Sequence, residues 1–386
     1  MPMKRMISIL LLFLLSVTPV YAAEPDIAAR GAALIDGKTG RLLWGRNEEE
    51  PMTMASTTKI MTAILVLENC EMDEIVTISK NAAHQPEVHM DLQEGERWKA
   101  GDLLSAMMLR SCNDAAVALA EHVSGDVGSF CKEMTEKAGE IGAEDTVFGS
   151  PNGLDSHLDD TEHHSTAYDM ALIGAYALEN DRFREIIIQP EIYISDMDGK
   201  RNCSITNTDR FLQEYSGAIG VKTGYTNKAG HCFVGAAERD GVLLVSCVFG
   251  SGWGDAGKRK KWTDTRKLMD YGFETFHSCE VLKEGVDFGA VKVVDSPTET
   301  VETVVSEGYT ALFSKEEAES LRMEADLPRE VKAPVKKGEK LGTAALFLED
   351  EKLTEMDLLA KEDIAAYTFS QRLKRMAENW LTWRKF

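Results

Sequence analysis

The sequence predicts an α/β (α+β) fold, an antiparallel sheet with helices packed on it, followed by a small β domain. Strand-like apolar runs lie near both ends of the first 277 residues with a helical block between them, so one sheet must draw strands from both ends. Residues 278–360 carry short Val-rich runs and turn chemistry with little helical periodicity. A helical stripe of aromatic and aliphatic side chains closes the chain.

Lys4 and Arg5 precede an apolar run from Ile7 to Val17, and Val20-Tyr21-Ala22 supplies small residues suited to signal-peptidase cleavage. Residues 1–22 are read as a signal peptide, which predicts export and a mature chain starting near Ala23. The run is about half the roughly 20 residues that a membrane-spanning helix needs, which disfavours the alternative of a retained anchor.

Ala32-Ala33-Leu34-Ile35 and Leu42-Leu43-Trp44 flank the turn Asp36-Gly37-Lys38-Thr39-Gly40 and read as a β-hairpin. Ile60, Ile64 and Leu67 recur at helical spacing between Ser56 and Asn69, and 101–109 and 113–123 read as helices too. Strands return at 218–221, at 232–237 and, past the Arg239-Asp240-Gly241 turn, at 242–249, before a helix over 259–276. The first domain thus covers 23–277. In the second, the main strand signals run from Val281 to about Leu348 and include the turn Ala333-Pro334-Val335-Lys336-Lys337-Gly338.

Residues 361–386 are read as an amphipathic helix. Phe369, Leu373, Met376, Trp380 and Trp383 fall on one stripe, with Arg372, Lys374, Arg375, Arg384 and Lys385 as polar-face charges. Five basic residues against Glu378 suit an anionic membrane surface, and the alternative is packing on the second domain.

The whole chain has 43 basic and 64 acidic side chains and a net charge of -21, which argues against a nucleic-acid partner, since that needs a basic face for phosphates. Cys70, Cys112, Cys131, Cys203, Cys232, Cys247 and Cys279 are odd in number and irregular in spacing, with no Cys-x-x-Cys pair. At least one thiol is unpaired, and the cysteines are read mainly as small core hydrophobes.

Ser56-Thr57-Thr58-Lys59 sets a hydroxyl at a helix start and an amine one turn later on the same face, the spacing that an activated serine needs. Lysine serves as a base only when burial and a neighbouring cation lower its pKa, and Lys222 is the candidate cation. Such motifs recur by chance: Ser129-Phe130-Cys131-Lys132, Ser79-Lys80-Asn81, Ser150-Pro151-Asn152 and Lys38-Thr39-Gly40 match the same patterns. Context separates them. Ser56 opens an apolar helix, Ser111-Cys112-Asn113 links two helices, and Lys222-Thr223-Gly224 ends a strand read as the sheet edge.

In that order, Ser56-Thr57-Thr58-Lys59, Ser111-Cys112-Asn113 and Lys222-Thr223-Gly224 resemble the three active-site motifs of penicillin-recognising serine enzymes. The stretches 111–116, 151–154, 164–169 and 220–226 narrow the resemblance to D-alanyl-D-alanine carboxypeptidases, the low-molecular-weight penicillin-binding proteins. The resemblance covers about Ala28 to Phe276. It implies a penicillin-binding, β-lactamase-like transpeptidase domain, a small β-sandwich domain and a C-terminal amphipathic anchor. It also implies exported enzymes at the outer face of the cytoplasmic membrane. Thr135 and Asp209 stand where the family often has Asn, outside the three motifs.

The roles it implies are Ser56 as nucleophile and Lys59 as its base, with Ser111 relaying a proton to the leaving amine and Asn113 positioning Lys59 and the substrate amide. Backbone N–H groups of Ser56 and Tyr225, beside Gly224, form the oxyanion hole, while Lys222 and Thr223 bind the terminal carboxylate. Lys261 is a weaker candidate for a second carboxylate contact, a solvated lysine being the favoured reading. The expected partners are peptidoglycan stem peptides ending in D-Ala-D-Ala and, as covalent inhibitors, β-lactams. Neither cofactor nor metal is expected.

A class A β-lactamase would carry a deacylating Glu-x-x-Leu-Asn between the second and third motifs, and none stands there. A DD-endopeptidase would use the same residues on cross-linked substrate. A non-catalytic wall-binding protein would not need the motifs intact. Gly31 is one residue too far from Lys38-Thr39 for a phosphate-binding loop. His163-His164 lack a third helical ligand, which argues against a metallopeptidase, and His164 is read as structural. His84 and His89 are left open as cleft residues.

Overall fold

A computed structural model describes residues 23–86, 88–155 and 162–383; the side chains of 379 and 381–383 are outside that description. The expected signal peptide, Arg384 and Lys385 lie outside the described residues.

The first domain is built on five antiparallel strands: β1 (Gly31–Asp36), β2 (Leu42–Arg46), β3 (Ala218–Thr226), β4 (Gly230–Arg239) and β5 (Val242–Phe249). Their order is β2-β1-β5-β4-β3, so the N-terminal hairpin joins the later strands through the β1–β5 pair, and β3 is an edge. The helical block between comprises α1 (Lys59–Asn69), α2 (Ala100–Arg110), α3 (Asn113–Ser124), α4 (Val127–Ile141) and α5 (Ala167–Leu178). It covers one sheet face, and α6 (Gly254–Thr275) covers the other.

Burial on both faces explains the unbroken apolar run of β1. Successive side chains of a strand alternate between faces. Ala33 and Ile35 accordingly join the core of the helical block, whereas Ala32 and Leu34 pack with Phe233, Leu244, Trp262 and Leu268 under α6. Helix α6 begins five residues before the expected 259, where Gly254 takes φ +57°.

The second domain has a six-stranded sheet, in spatial order Leu321–Asp326, Lys340–Leu348, Glu351–Ala360, Thr300–Val305, Asp287–Val294 and Glu330–Lys332, beside a ribbon of His277–Leu282 with Tyr309–Phe313. The Lys38-Thr39-Gly40 turn serves the junction. Asp36 holds Thr39 Oγ1 at 2.9 Å and accepts from Leu312 N at 3.0 Å, and Arg41 pairs with Glu317 at 2.9 Å.

Helix α7 covers Phe369–Trp383, starting later than residue 361, because Ile364 is buried and pairs with Val335. Phe369, Leu373, Met376 and Trp380 are 80%, 52%, 71% and 62% exposed, so these four side chains of the stripe are not buried against the second domain. No described helix is long and apolar enough to cross a membrane.

Candidate active site

Ser56 does not sit on an α-helix. It lies in the 3-10 turn Ala55–Thr58, and Lys59 opens α1 directly after it. In a 3-10 turn residues three apart eclipse, which stacks the Ser56 hydroxyl and the Lys59 amine 3.0 Å apart. Thr57 and Thr58 hydroxyls lock the turn by donating to Met54 O at 2.6 Å and Ala55 O at 2.7 Å. Ala55 is held at φ +49°, in the left-handed region.

Lys59 is wholly buried. Its Nζ also contacts Asn113 Oδ1 at 2.8 Å and the Asn152 carbonyl at 2.6 Å. Burial first, and then the charge of Lys222, hold it well below the usual lysine range. Once the amine gives up a proton it has a lone pair for the Ser56 hydroxyl, while Asn113 Oδ1 and the Asn152 carbonyl still accept from its N–H groups. The helix start reinforces this, since a cation is disfavoured at that end.

Asn152 belongs both to Ser150-Pro151-Asn152, a chance match to a motif, and to the 151–154 stretch that carries part of the resemblance, and it supplies the carbonyl under Lys59. Gly153 makes that approach possible: it takes φ +83°, and a Cβ there would lie 2.0 Å from Ala55 O. Sequence reasoning missed the role of Asn152 because a backbone carbonyl has no residue signature.

Asn113 opens α3, and its amide donates to Pro86 O at 3.0 Å, which turns Oδ1 toward Lys59. Ser111, at φ +70°, ends α2 and lines the cleft. The motif Lys222-Thr223-Gly224 lies within β3, not at its end. At Gly224 a Cβ would come 2.9 Å from Ser56 N, so only glycine lets β3 approach the turn and bring the Tyr225 backbone alongside it.

Lys222 is buried and donates to Thr223 O at 3.0 Å. Among the described residues no hydrogen bond joins it to Ser56, Lys59 or Ser111. Burial and then Lys261 push it down to about 7. Lys261 overturns the favoured reading of a solvated lysine: it is 5% exposed, sits 4.4 Å from the Trp262 ring centroid and is pushed down to about 8, mainly by burial. Facing this pair is Asp209, whose buried Oδ2 has no partner and whose carboxyl burial raises to about 6.

The cleft above these groups is about 630 Å³ and carries Arg110, Arg210, Lys258 and Lys261 on its walls. In a chain of net charge -21 this is a local site for an anion. His231 also lines it, cross-strand from Tyr225 with ring centroids 4.4 Å apart, a contact legible only from the β3–β4 register. His84 and His89 are not cleft residues; they contact Lys80 O and Asp91. His163 rather than His164 packs beside the first motif, 3.3 Å from Thr58 Oγ1.

A hydroxyl, a buried amine beside it whose pKa is lowered, and a cationic cleft for an anionic group are the parts of a serine-dependent acyl-transfer centre. The chain belongs to the D-alanyl-D-alanine carboxypeptidase family, whose model matches residues 18–252. Residues 276–366 match the model for the C-terminal domain of penicillin-binding protein 5.

The chain is 31% identical to D-alanyl-D-alanine carboxypeptidase DacF of Bacillus subtilis, over 98% of this chain and 99% of that protein. Penicillin-binding protein 5 from Haemophilus influenzae superposes with a TM-score of 0.74 at 25% identity, covering 89% of this chain and 99% of the other. A Streptomyces K15 DD-transpeptidase mutant superposes at 0.60 with 32% identity, covering 65% and 100%.

Proposed function

We propose that this chain is a serine D-Ala-D-Ala carboxypeptidase that removes the terminal D-alanine from peptidoglycan pentapeptide stems. The observation that carries the reading is the buried Lys59 amine, held 3.0 Å from Ser56 Oγ and anchored by Asn113 Oδ1 and the Asn152 carbonyl.

Ser56 Oγ attacks the carbonyl of the penultimate D-alanine while its proton passes to Lys59. The oxyanion is held by Ser56 N–H and Tyr225 N–H, a contribution of about 3 kcal/mol per donor in comparable sites. Collapse breaks the C–N bond, and the leaving amine takes a proton relayed through Ser111 from Lys59. D-Alanine departs, and water cleaves the Ser56 ester by the same base.

Lys222 and Thr223, with Lys261 near them, bind the free carboxylate. That anion favours the charged form of Lys222, so substrate restores the proton that burial removes. A β-lactam reacts through the same steps, but its amine stays tethered by the ring, and the adduct on Ser56 stalls.

The enzyme works at the outer face of the cytoplasmic membrane. The pattern of residues 1–22 supports export, and the exposed stripe of α7 with its basic flank supports peripheral binding to anionic lipid.

Incubation with a fluorescent penicillin followed by peptide mapping tests the reading. It predicts an adduct on the peptide holding Ser56 and none in Ser56→Ala; an adduct elsewhere, or none in the wild type, overturns it.

A further inference from the structure

Away from the cleft, the structure brings together three donors that the sequence keeps apart. Cys70 caps the C-terminus of α1, Glu74 follows in the next turn, and His122 lies in the last turn of α3. One sulfur, one carboxylate oxygen and one imidazole nitrogen all fall within 4.8 Å of one another. We propose that Cys70, Glu74 and His122 form a site for a borderline-soft divalent cation of the zinc class, one that ties the C-terminal ends of α1 and α3 together.

The donor chemistry selects the cation. Thiolate with imidazole and a single carboxylate suits zinc or cobalt, whereas calcium and magnesium need sets made of oxygen. Bond lengths of about 2.0 Å to nitrogen and oxygen and about 2.3 Å to sulfur put tetrahedral ligand atoms roughly 3.3–3.6 Å apart. The Glu74–His122 pair already stands at 3.1 Å with the Cys70 sulfur within 4.8 Å of both, so the thiol would close toward them to complete the set. Water takes the fourth position.

The carboxylate is also oriented from outside. Glu74 Oε1 accepts from Glu71 N at 2.7 Å, which holds Oε2 toward His122, and the cation would replace the proton that now lies between Oε2 and His122 Nε2. The backbone on both sides is pinned, by Cys70 N to Val66 O at 2.9 Å and by Ala100 N to Glu74 O at 2.9 Å. Cys70 is half-buried and not in a disulfide, and binding displaces its thiol proton to solvent.

Position gives the site its consequence. Helix α1 starts at Lys59 and α3 at Asn113, and these two side chains meet at 2.8 Å. A cation between Cys70 and His122 would join the same two helices at their other ends. Its effect is on the rigidity of the helix pair and takes no part in bond breaking. It also differs from the sequence expectation of no metal, which could not see donors 48 residues apart in sequence, from Glu74 to His122.

The test is a titration of the reduced, chelator-treated full chain with Co²⁺. The expected result is one equivalent bound, with a thiolate-to-cobalt charge-transfer band and visible bands of tetrahedral intensity, both displaced by one equivalent of Zn²⁺. Cys70→Ser should lose the charge-transfer band. His122→Ala should weaken binding by more than about 100-fold and Glu74→Gln by at least about 10-fold, since losing a ligand costs at least as much as losing an outer-shell partner. Near-ultraviolet circular dichroism matching the wild type certifies that each variant is folded. Absence of the charge-transfer band in the wild type, or its persistence in folded Cys70→Ser, overturns the proposal.

Discussion

Lys59 Nζ stands 3.0 Å from Ser56 Oγ because a 3-10 turn, not an α-helix, carries the serine into α1. The amine is buried, and its depressed pKa follows from that burial and from Lys222. A guanidinium in its place stays charged at any accessible pH and cannot take a proton. Lys59→Arg is therefore expected to slow acylation by penicillin by roughly 10²- to 10⁴-fold, the usual contribution of a positioned base. Stopped-flow acylation kinetics measures it; a loss below tenfold would remove Lys59 from the role of base.

The pH dependence of kcat/KM carries a second expectation. Activity rises with pH as Lys59 loses its proton and falls as Lys222, pushed down to about 7 in the free enzyme, loses its own. Arginine keeps its charge where lysine does not. In Lys222→Arg the basic limb should move upward, although KM rises with the altered reach. A basic limb that stays in place would assign it to another group.

Asp209 tests the same electrostatics from the other side. Its carboxylate, ionised above about 6, raises Lys222. Asp209→Asn removes that support, so the basic limb should shift to lower pH. Stability has the complementary sign. Between the ordinary 3.8 and about 6 the folded state binds a proton that the unfolded state has released, so the wild type loses stability as pH rises through that window. Urea midpoints of Asp209→Asn relative to the wild type should improve across it.

Gly153 takes φ +83°, and a Cβ there meets Ala55 O at 2.0 Å. Left-handed strain alone costs a non-glycine residue about 1–3 kcal/mol, and the clash adds to it. Gly153→Ala is expected to lose at least about 2 kcal/mol in urea unfolding and to displace the Asn152 carbonyl from Lys59. Unchanged stability with full acylation would show that the turn relaxes freely.

The exposed stripe on α7 predicts that the mature chain cosediments with vesicles containing anionic lipid and is released by salt. Removal of 369–386 should abolish cosedimentation while leaving penicillin acylation intact. Equal sedimentation of the two forms would contradict it.

Much of this was legible in the sequence because it rests on periodicity. The run Ala32 to Ile35 announces a strand covered on both faces, and the order of the three motifs announces the site. The parts that stayed hidden depend on chain reversal. Lys261 looked solvated among Lys258, Arg259 and Lys260, yet the turn of α6 that carries it faces β4, where Trp262 packs on Phe233. Asn152 contributes a carbonyl, and His231 reaches the cleft through strand register. The 151–154 stretch marks the place of Asn152 but not its role, and His231 leaves no local pattern to read.

The most direct measurement is D-alanine release from diacetyl-Lys-D-Ala-D-Ala by the purified mature chain and its Ser56→Ala variant. The account predicts release by the wild type, none by Ser56→Ala, and block by prior exposure to penicillin. A wild type that binds penicillin at Ser56 but frees no D-alanine, while cleaving a cross-linked dimer, would contradict the carboxypeptidase reading in favour of an endopeptidase.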